Sequence, residues 1–171
     1  MTVAVETGLW RLDADTSAVA LRHKTMWGLV TVKGAFGVVS GEGEARSDGS
    51  VVGTLILDAA SVDTKNAKRD EHLRSADFFD VANHPEITFA VRGVDSWQGD
   101  TVQLSGQLTV RGVSRPQSLT AHLADVRADA LTATTEFTVD REEFGLGWNQ
   151  MGMVRGLTTV TATLRFLRTA A

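Results

Sequence analysis

The sequence has no cysteine among its 171 residues. This absence excludes disulfides, thiolate metal sites and a cysteine nucleophile. Long apolar runs are also lacking, since none approaches the ~18 residues that a membrane-spanning helix needs. No strong excess of one charge is present, because the formal net charge is only -4. A general nucleic-acid binder is therefore excluded, and no nucleic-acid partner is expected.

The two ends of the sequence lack targeting signals. The opening MTVAVETGLWRLD has no basic stretch followed by an apolar core and a cleavage site, and the closing FLRTAA has no lipidation signal. As written, the sequence predicts a cytoplasmic protein, or a periplasmic or secreted one if the chain is a trimmed mature form. Its length predicts one domain over residues 1–171, with a core that needs no disulfides.

Most of the chain alternates apolar and polar residues in stretches rich in Val, Thr, Leu and Phe. The clearest stretches are 86–97, 102–110, 118–123, 131–139 and 159–166. This alternation is typical of antiparallel strands with one buried and one solvated face. Turn residues at Asp48-Gly49 predict a hairpin, and those from Gly112 to Pro116 predict a reversal. Both prolines, Pro85 and Pro116, are expected at the openings of strands.

One segment, Lys65 to Asp80, breaks the alternation. It combines helix-forming residues, mixed charge and an apolar side made by Leu73, Phe78 and Phe79. We predict one short helix around residues 66–76, followed by a loop that leads to the second group of strands.

The lengths of the strand stretches favour a closed barrel. Several span ten to twelve residues, and an open sheet of such strands would leave long unpaired edges. We predict an all-β fold, an extended antiparallel β-barrel of about eight strands, while a sandwich stays open because alternation alone does not distinguish the two. Small residues on the apolar face leave two interpretations, a hollow lumen for a linear lipid or a filled core. These residues are Ala59, Gly93, Gly106, Ala121, Ala133 and Ala162.

Several motifs resemble those of the YceI-like family. The central ones are Ser61-Val-Asp-Thr-Lys-Asn, then Arg69-Asp-Glu-His-Leu-Arg-Ser-Ala-Asp-Phe-Phe-Asp80, then His84-Pro-Glu-Ile-Thr-Phe89. Further similar pieces are Trp10 to Asp13, Gly106 to Pro116 and Val139 to Leu146. The resemblance implies an extended, lipocalin-like barrel whose interior holds a long isoprenoid or similar amphiphile. It also implies lipid, isoprenoid-quinone or stress-related roles, and it brings no catalytic residue set.

Two places depart from the family's pattern. Thr16-Ser17 stand where many relatives have a His-Ser pair, and the segment that follows to His23 is slightly shorter than the common form. Trp148 to Val154 replaces a commonly longer loop. We expect both changes to reshape one mouth of the barrel.

Candidate ligand contacts lie on the apolar phases of the strands. They are Trp27, Phe36, Phe89, Leu104, Leu108, Phe137 and Phe166. In a filled barrel the same residues would form the core. Trp148, Met151 and Met153 form a candidate gate or plug at a mouth, since methionine adapts to irregular apolar partners. His23 and Arg69 are candidates for contact with a ligand head group, because a guanidinium suits pyrophosphate or carbonyl oxygens.

No catalytic or metal site is predicted. The nucleophile motif G-x-S-x-G is absent, and no histidine pair has the H-E-x-x-H spacing of a zinc site. His72 is expected to be a hydrogen-bonded structural histidine. Asp70 is expected to cap the helix while Arg69 reaches a carboxylate or backbone carbonyls, with the head-group role of Arg69 as the functional alternative.

The sequence therefore predicts binding, storage or transport of a long-chain amphiphilic lipid, isoprenoid or quinone-like, in an apolar lumen. It predicts no enzyme activity and no cofactor, and it leaves a homodimer open. One alternative is an enzyme that acts on a lipid held in the lumen, which needs a titratable group inside the barrel. The other is a ligand-free interaction module with a filled core.

Overall fold

The computed structural model describes residues 5–25, 30–37, 39–145 and 157–170. Within these residues eleven strands and one α-helix are present. They are β1 (Gly8–Leu12), β2 (Ala18–Thr25), β3 (Val30–Phe36), β4 (Val39–Ala45), β5 (Val51–Asp58), β6 (Val62–Asp63), α1 (Ala67–Arg74), β7 (Glu86–Gln98), β8 (Thr101–Val110), β9 (Val113–Ala124), β10 (Ala130–Val139) and β11 (Thr158–Ala170).

The strands close into an eight-stranded antiparallel barrel. β1 with β2, β3 with β4, and β5 with β6 each form one strand of the wall in two pieces, and β7 to β11 supply the other five. Successive strands of the wall pair with each other, and β11 closes the ring by pairing with β1 near one end and β2 near the other. The predicted all-β barrel is confirmed and the sandwich alternative is wrong, because the ring of paired strands closes on itself where β11 meets β1 and β2.

Alternation along each strand sorts side chains between the interior and solvent. β10 and β11 pair without interruption from Ala130 opposite Leu167 to Val139 opposite Thr158. The apolar residues at the inward positions of these strands belong to the buried core or pack against it. Threonines fill many of the outward positions, which explains the frequency of Thr in these stretches.

The connection between β6 and β7 covers one end of the barrel, here called the α1 end. α1 begins after Asn66, whose side chain accepts the backbone N–H of Arg69 and so caps the helix. Beyond α1, Phe78 is buried and Phe79 packs edge-on against Phe36, with ring centroids 6.0 Å apart. The helix lies where the sequence predicted it, and the aromatic pair anchors the connection over the barrel interior.

Asp70 does not cap the helix, so that prediction is wrong. It lies in the first turn of α1, buried, and its Oδ1 accepts the backbone N–H of Thr64 at 2.9 Å and the Thr64 hydroxyl at 2.5 Å. Arg69 donates from Nε to the same hydroxyl and from Nη2 to the Thr64 carbonyl, each at 2.7 Å. Arg69 and Asp70 both bind Thr64, and together they hold α1 against the segment that follows β6.

Replacing Asp70 by Ala is expected to lower the free energy of unfolding by about 2 kcal/mol, because two buried donors of Thr64 lose their acceptor. Urea unfolding of the purified variant measures this loss. The control is Asp63→Ala, which removes an exposed carboxylate bonded to Lys65 and should cost far less. Equal losses in the two variants would contradict the role of Asp70.

The β8–β9 hairpin turns earlier than the sequence predicted. Arg111 and Gly112 have φ values of 52° and 74° between the paired Val110 and Val113, which is a two-residue turn of the primed type. Pro116 therefore lies inside β9 opposite Gln107, and its expected place at a strand opening is wrong. Its missing N–H is tolerated because, in the described pairing, β10 joins β9 only from position 121 onward.

Candidate functional site

An apolar cavity of about 320 Å³ runs through the barrel. Phe79 and Phe144 line it near the α1 end, and Val5 and Trp97 line it near the opposite end. On β10 every inward residue from Leu131 to Val139 faces it. Eight residue steps cover ~26 Å of strand, or ~20 Å along the axis at a tilt near 40°. The barrel therefore has a hollow lumen, which favours the first of the two interpretations.

Six of the predicted ligand contacts lie on the lumen wall. They are Phe36, Phe89, Leu104, Leu108, Phe137 and Phe166. Five different strands bring them together, each through an inward position of the alternation. Trp27, Trp148, Met151 and Met153 lie outside the described residues, so the gate or plug stays a prediction. Ligand contact by the six wall residues also stays a prediction.

Several wall residues from the first half of the chain were not predicted from the sequence. Trp10, Val19, Leu21 and Leu55 all line the lumen. Their strands are broken into short pieces, and β4 (VSGEGEA) contains two glycines that hide its alternation. The apolar positions of β5 carried a usable signal, since Val51, Gly53, Leu55 and Leu57 recur with period two and all line the lumen.

Polar groups are few on the described part of the wall. The polar residues that line it are Glu42, Glu44, Thr54, Thr88, Thr135, Arg141 and Thr158. Glu42 is exposed to solvent, and the side chain of Glu44 is 45% exposed and pairs with Arg46. Arg141 is therefore the buried charge of this wall.

Arg141 lies at the α1 end and is only 7% exposed. Its guanidinium carbon is 5.7 Å from the centroid of the Phe78 ring, a cation–π contact. Burial lowers the pKa of Arg141, and the carboxylates of Glu142 and Asp140 act in the opposite direction. Arginine nevertheless stays charged at neutral pH. Arg141 was not predicted as the arginine of the site, and Arg69 was predicted instead, although the family-like segment from 139 to 146 contains Arg141.

Neither predicted head-group residue lines the lumen directly. The guanidinium of Arg69 donates to the hydroxyl and the carbonyl of Thr64, in the segment that follows β6. His23 is buried on β2, and its Nδ1 forms a 2.8 Å hydrogen bond with the hydroxyl of Thr158, which does line the lumen. The structure does not bring Arg69 to the cavity, and it connects His23 to the cavity through Thr158.

His72 has the hydrogen-bonded geometry of a structural histidine. Its Nε2 lies 2.8 Å from Oδ2 of Asp77, and its ring packs edge-on against Phe78 with centroids 5.1 Å apart. The described residues contain no cluster of three or more His, Asp or Glu suited to a metal ion. Among the described helices, none has the length and apolar character to cross a membrane.

The fold and the lumen define a class, the extended antiparallel barrels with an apolar interior. Residues 10–166 match the YceI-like domain, and the chain belongs to this family. A segment of 65 residues is 48% identical to a UPF0312 protein of Azotobacter vinelandii, covering 38% of this chain and 34% of the relative. Another of 69 residues is 45% identical to Protein YceI of Escherichia coli O17:K52:H18, covering 40% and 36%. These matches span about a third of the curated relatives' length.

Solved structures share the same fold. BcnA of Burkholderia cenocepacia is 20% identical with a TM-score of 0.81, and the match covers 90% of this chain and 98% of that one. A polyisoprenoid binding domain from Saccharophagus degradans, implicated in plant cell wall breakdown, is 17% identical with a TM-score of 0.76, covering 94% and 98%. At these identities the similarity establishes the fold alone.

Proposed function

We propose that the protein binds a long-chain amphiphilic lipid, of isoprenoid or quinone type, inside the lumen. The observation that carries this proposal is the 320 Å³ cavity that extends through the barrel between walls of apolar side chains. Each methylene removed from water contributes ~0.8 kcal/mol, so a chain that fills the lumen binds tightly with few polar contacts. The polyisoprenoid binding of the Saccharophagus degradans domain supports this class of ligand.

Native mass spectrometry of the purified protein, paired with organic extraction, tests the proposal. We expect a stoichiometric adduct that extracts as a long-chain lipid. Bare protein that stays bare after challenge with isoprenoids and quinones would overturn the proposal and favour the interaction module. We propose that such binding serves storage or transport of the lipid. The same mass spectra also report whether the protein forms a homodimer.

One contact favours the second candidate, an enzyme that acts on the bound lipid. Thr158 lines the lumen and its hydroxyl is hydrogen-bonded to His23, and a hydroxyl beside a histidine is the arrangement of an activated nucleophile. The two candidates are separated by incubating the protein with a long-chain p-nitrophenyl ester. Binding alone predicts no turnover above background. Turnover that disappears in Thr158→Val would establish the enzyme.

A further inference from the structure

A smaller pocket of about 170 Å³ continues the lumen at the end opposite to α1. Four residues line both cavities, namely Val5, Ala45, Val51 and Trp97. The turn between β4 and β5 supplies the other walls, Arg46, Gly49 and Ser50, and we call this space the turn pocket. A ligand whose chain fills the lumen therefore meets a charged side chain at this end.

Arg46 is the charged residue that lines the turn pocket in the described part of the chain. Its side chain is 49% exposed, and its Nε lies 3.5 Å from a carboxylate oxygen of Glu44. The two terminal nitrogens of Arg46 form no hydrogen bond with the described residues. Because an exposed ion pair of this kind contributes little, the guanidinium keeps most of its donors for another partner.

Two carboxylates lie near Arg46, and neither lines the turn pocket. Oδ1 of Asp48 accepts the backbone N–H and the hydroxyl of Ser50, at 2.9 Å and 2.6 Å, so this carboxylate is engaged within its own turn. Glu44 competes directly for Arg46, but its side chain is already half-exposed and returns to water at little cost. A ligand carboxylate that replaces Glu44 gains two parallel N–H···O bonds from the terminal nitrogens.

The α1 end suits the apolar terminus of a ligand. Phe79 and Phe144 line the lumen there, and Phe144 is only 2% exposed. The arginine at that end, Arg141, is buried against Phe78, so a carboxylate would lose its hydration in reaching it. At the turn pocket, by contrast, a carboxylate pairs with a half-exposed arginine and keeps part of its water.

We propose that the turn pocket is the head-group site of the lumen and that it binds the carboxylate of a long-chain acid. Arg46 donates to the two carboxylate oxygens from its terminal nitrogens, and the chain extends through the lumen toward α1. This inference rests on the proposed lipid binding and adds to it the orientation of the ligand and the chemical class of its head group.

The test compares palmitate with palmitamide and hexadecanol at neutral pH, by displacement of diphenylhexatriene, an uncharged rod-shaped fluorophore. Arg46→Gln should lower palmitate affinity about 5-fold and leave the affinities of the two neutral compounds near the wild-type values. Arg127→Gln is the matched control. Arg127 lies in the turn between β9 and β10 at the same end of the barrel, is exposed and lines neither cavity. This variant removes the same charge and should leave all three affinities near wild type.

Glu44→Gln removes the competing carboxylate, so it should raise palmitate affinity and leave palmitamide affinity unchanged. The head-group assignment is overturned, while lumen binding stands, if Arg46→Gln binds palmitate as tightly as wild type. Equal losses of palmitate affinity in Arg46→Gln and Arg127→Gln, or equal losses of palmitate and palmitamide affinity in Arg46→Gln, would also overturn it. If none of the three compounds binds wild-type protein, the proposed function fails, and the head-group site fails with it.

Discussion

Replacing Ala133 by tryptophan is expected to weaken the binding of a long-chain ligand about two-hundredfold. Ala133 lies on β10 between Leu164 of β11 and Leu123 of β9, and all three residues line the lumen. An indole at this position takes the space of about four methylenes of the ligand, each worth ~0.8 kcal/mol, which removes ~3 kcal/mol of binding free energy. Displacement of a fluorescent fatty probe measures the effect.

The matched control for this variant is Thr134→Trp. Thr134 is the next residue of β10 and points to the opposite face of the wall, opposite Thr163 and His122 of the neighbouring strands. The same indole there should leave ligand affinity near the wild-type value. Urea unfolding checks that both variants keep the barrel. Full binding by a folded Ala133→Trp variant would place the ligand outside the lumen and overturn the proposed function.

Most of the second half of the fold could be predicted from the sequence. β7 to β11 are long, and most of their inward residues follow from the alternation alone. The register shifts within β7 and the early start of β9 at Val113 were not predicted. The part of the wall formed by β1 to β6 could not be predicted in the same way. Each wall strand there is split into two pieces, at turns such as Ala14–Thr16 and Ala59–Ser61. Closure through β1 and β11 joins the two ends of the chain, and no local pattern reports such a contact.

In the candidate site too, some residues could be predicted from the sequence and others could not. Phe89, Leu108 and Phe137 were found because inward position is a property of a single strand. Arg141 was missed because its burial depends on Phe78, which comes from a distant segment. Residues whose role depends on two distant segments cannot be recognised from spacing.

The small residues of the apolar face have two different roles in the structure. Ala121, Ala133 and Ala162 line the lumen and leave it open, as the hollow interpretation required. Gly106 serves a different purpose. It is buried on β8, and the ring of Phe89 from β7 lies where its side chain would stand. The absence of a side chain here lets an aromatic ring lie against the wall, so this glycine shapes the lumen through its neighbour.

Adding one methyl group at this position, Gly106→Ala, is expected to lower the free energy of unfolding by about 3 kcal/mol. A Cβ on Gly106 would lie 2.4 Å from the backbone carbonyl oxygen of Ala90 and 2.6 Å from Cζ of Phe89. The carbonyl belongs to the β7–β8 ladder and cannot move without disturbing its hydrogen bonds. The ring of Phe89 must therefore move into the lumen, the strands must separate, or both.

Urea unfolding measures this loss, and Gly93→Ala on β7 is its matched control. A Cβ on Gly93 meets nothing within 4 Å, so the added methyl should change stability by no more than about 0.5 kcal/mol. Ligand affinity of Gly106→Ala should fall as well, since a displaced Phe89 ring narrows the cavity. If the two glycine variants unfold at the same urea concentration, Phe89 does not pack over Gly106, and its place in the lumen wall must be assigned again.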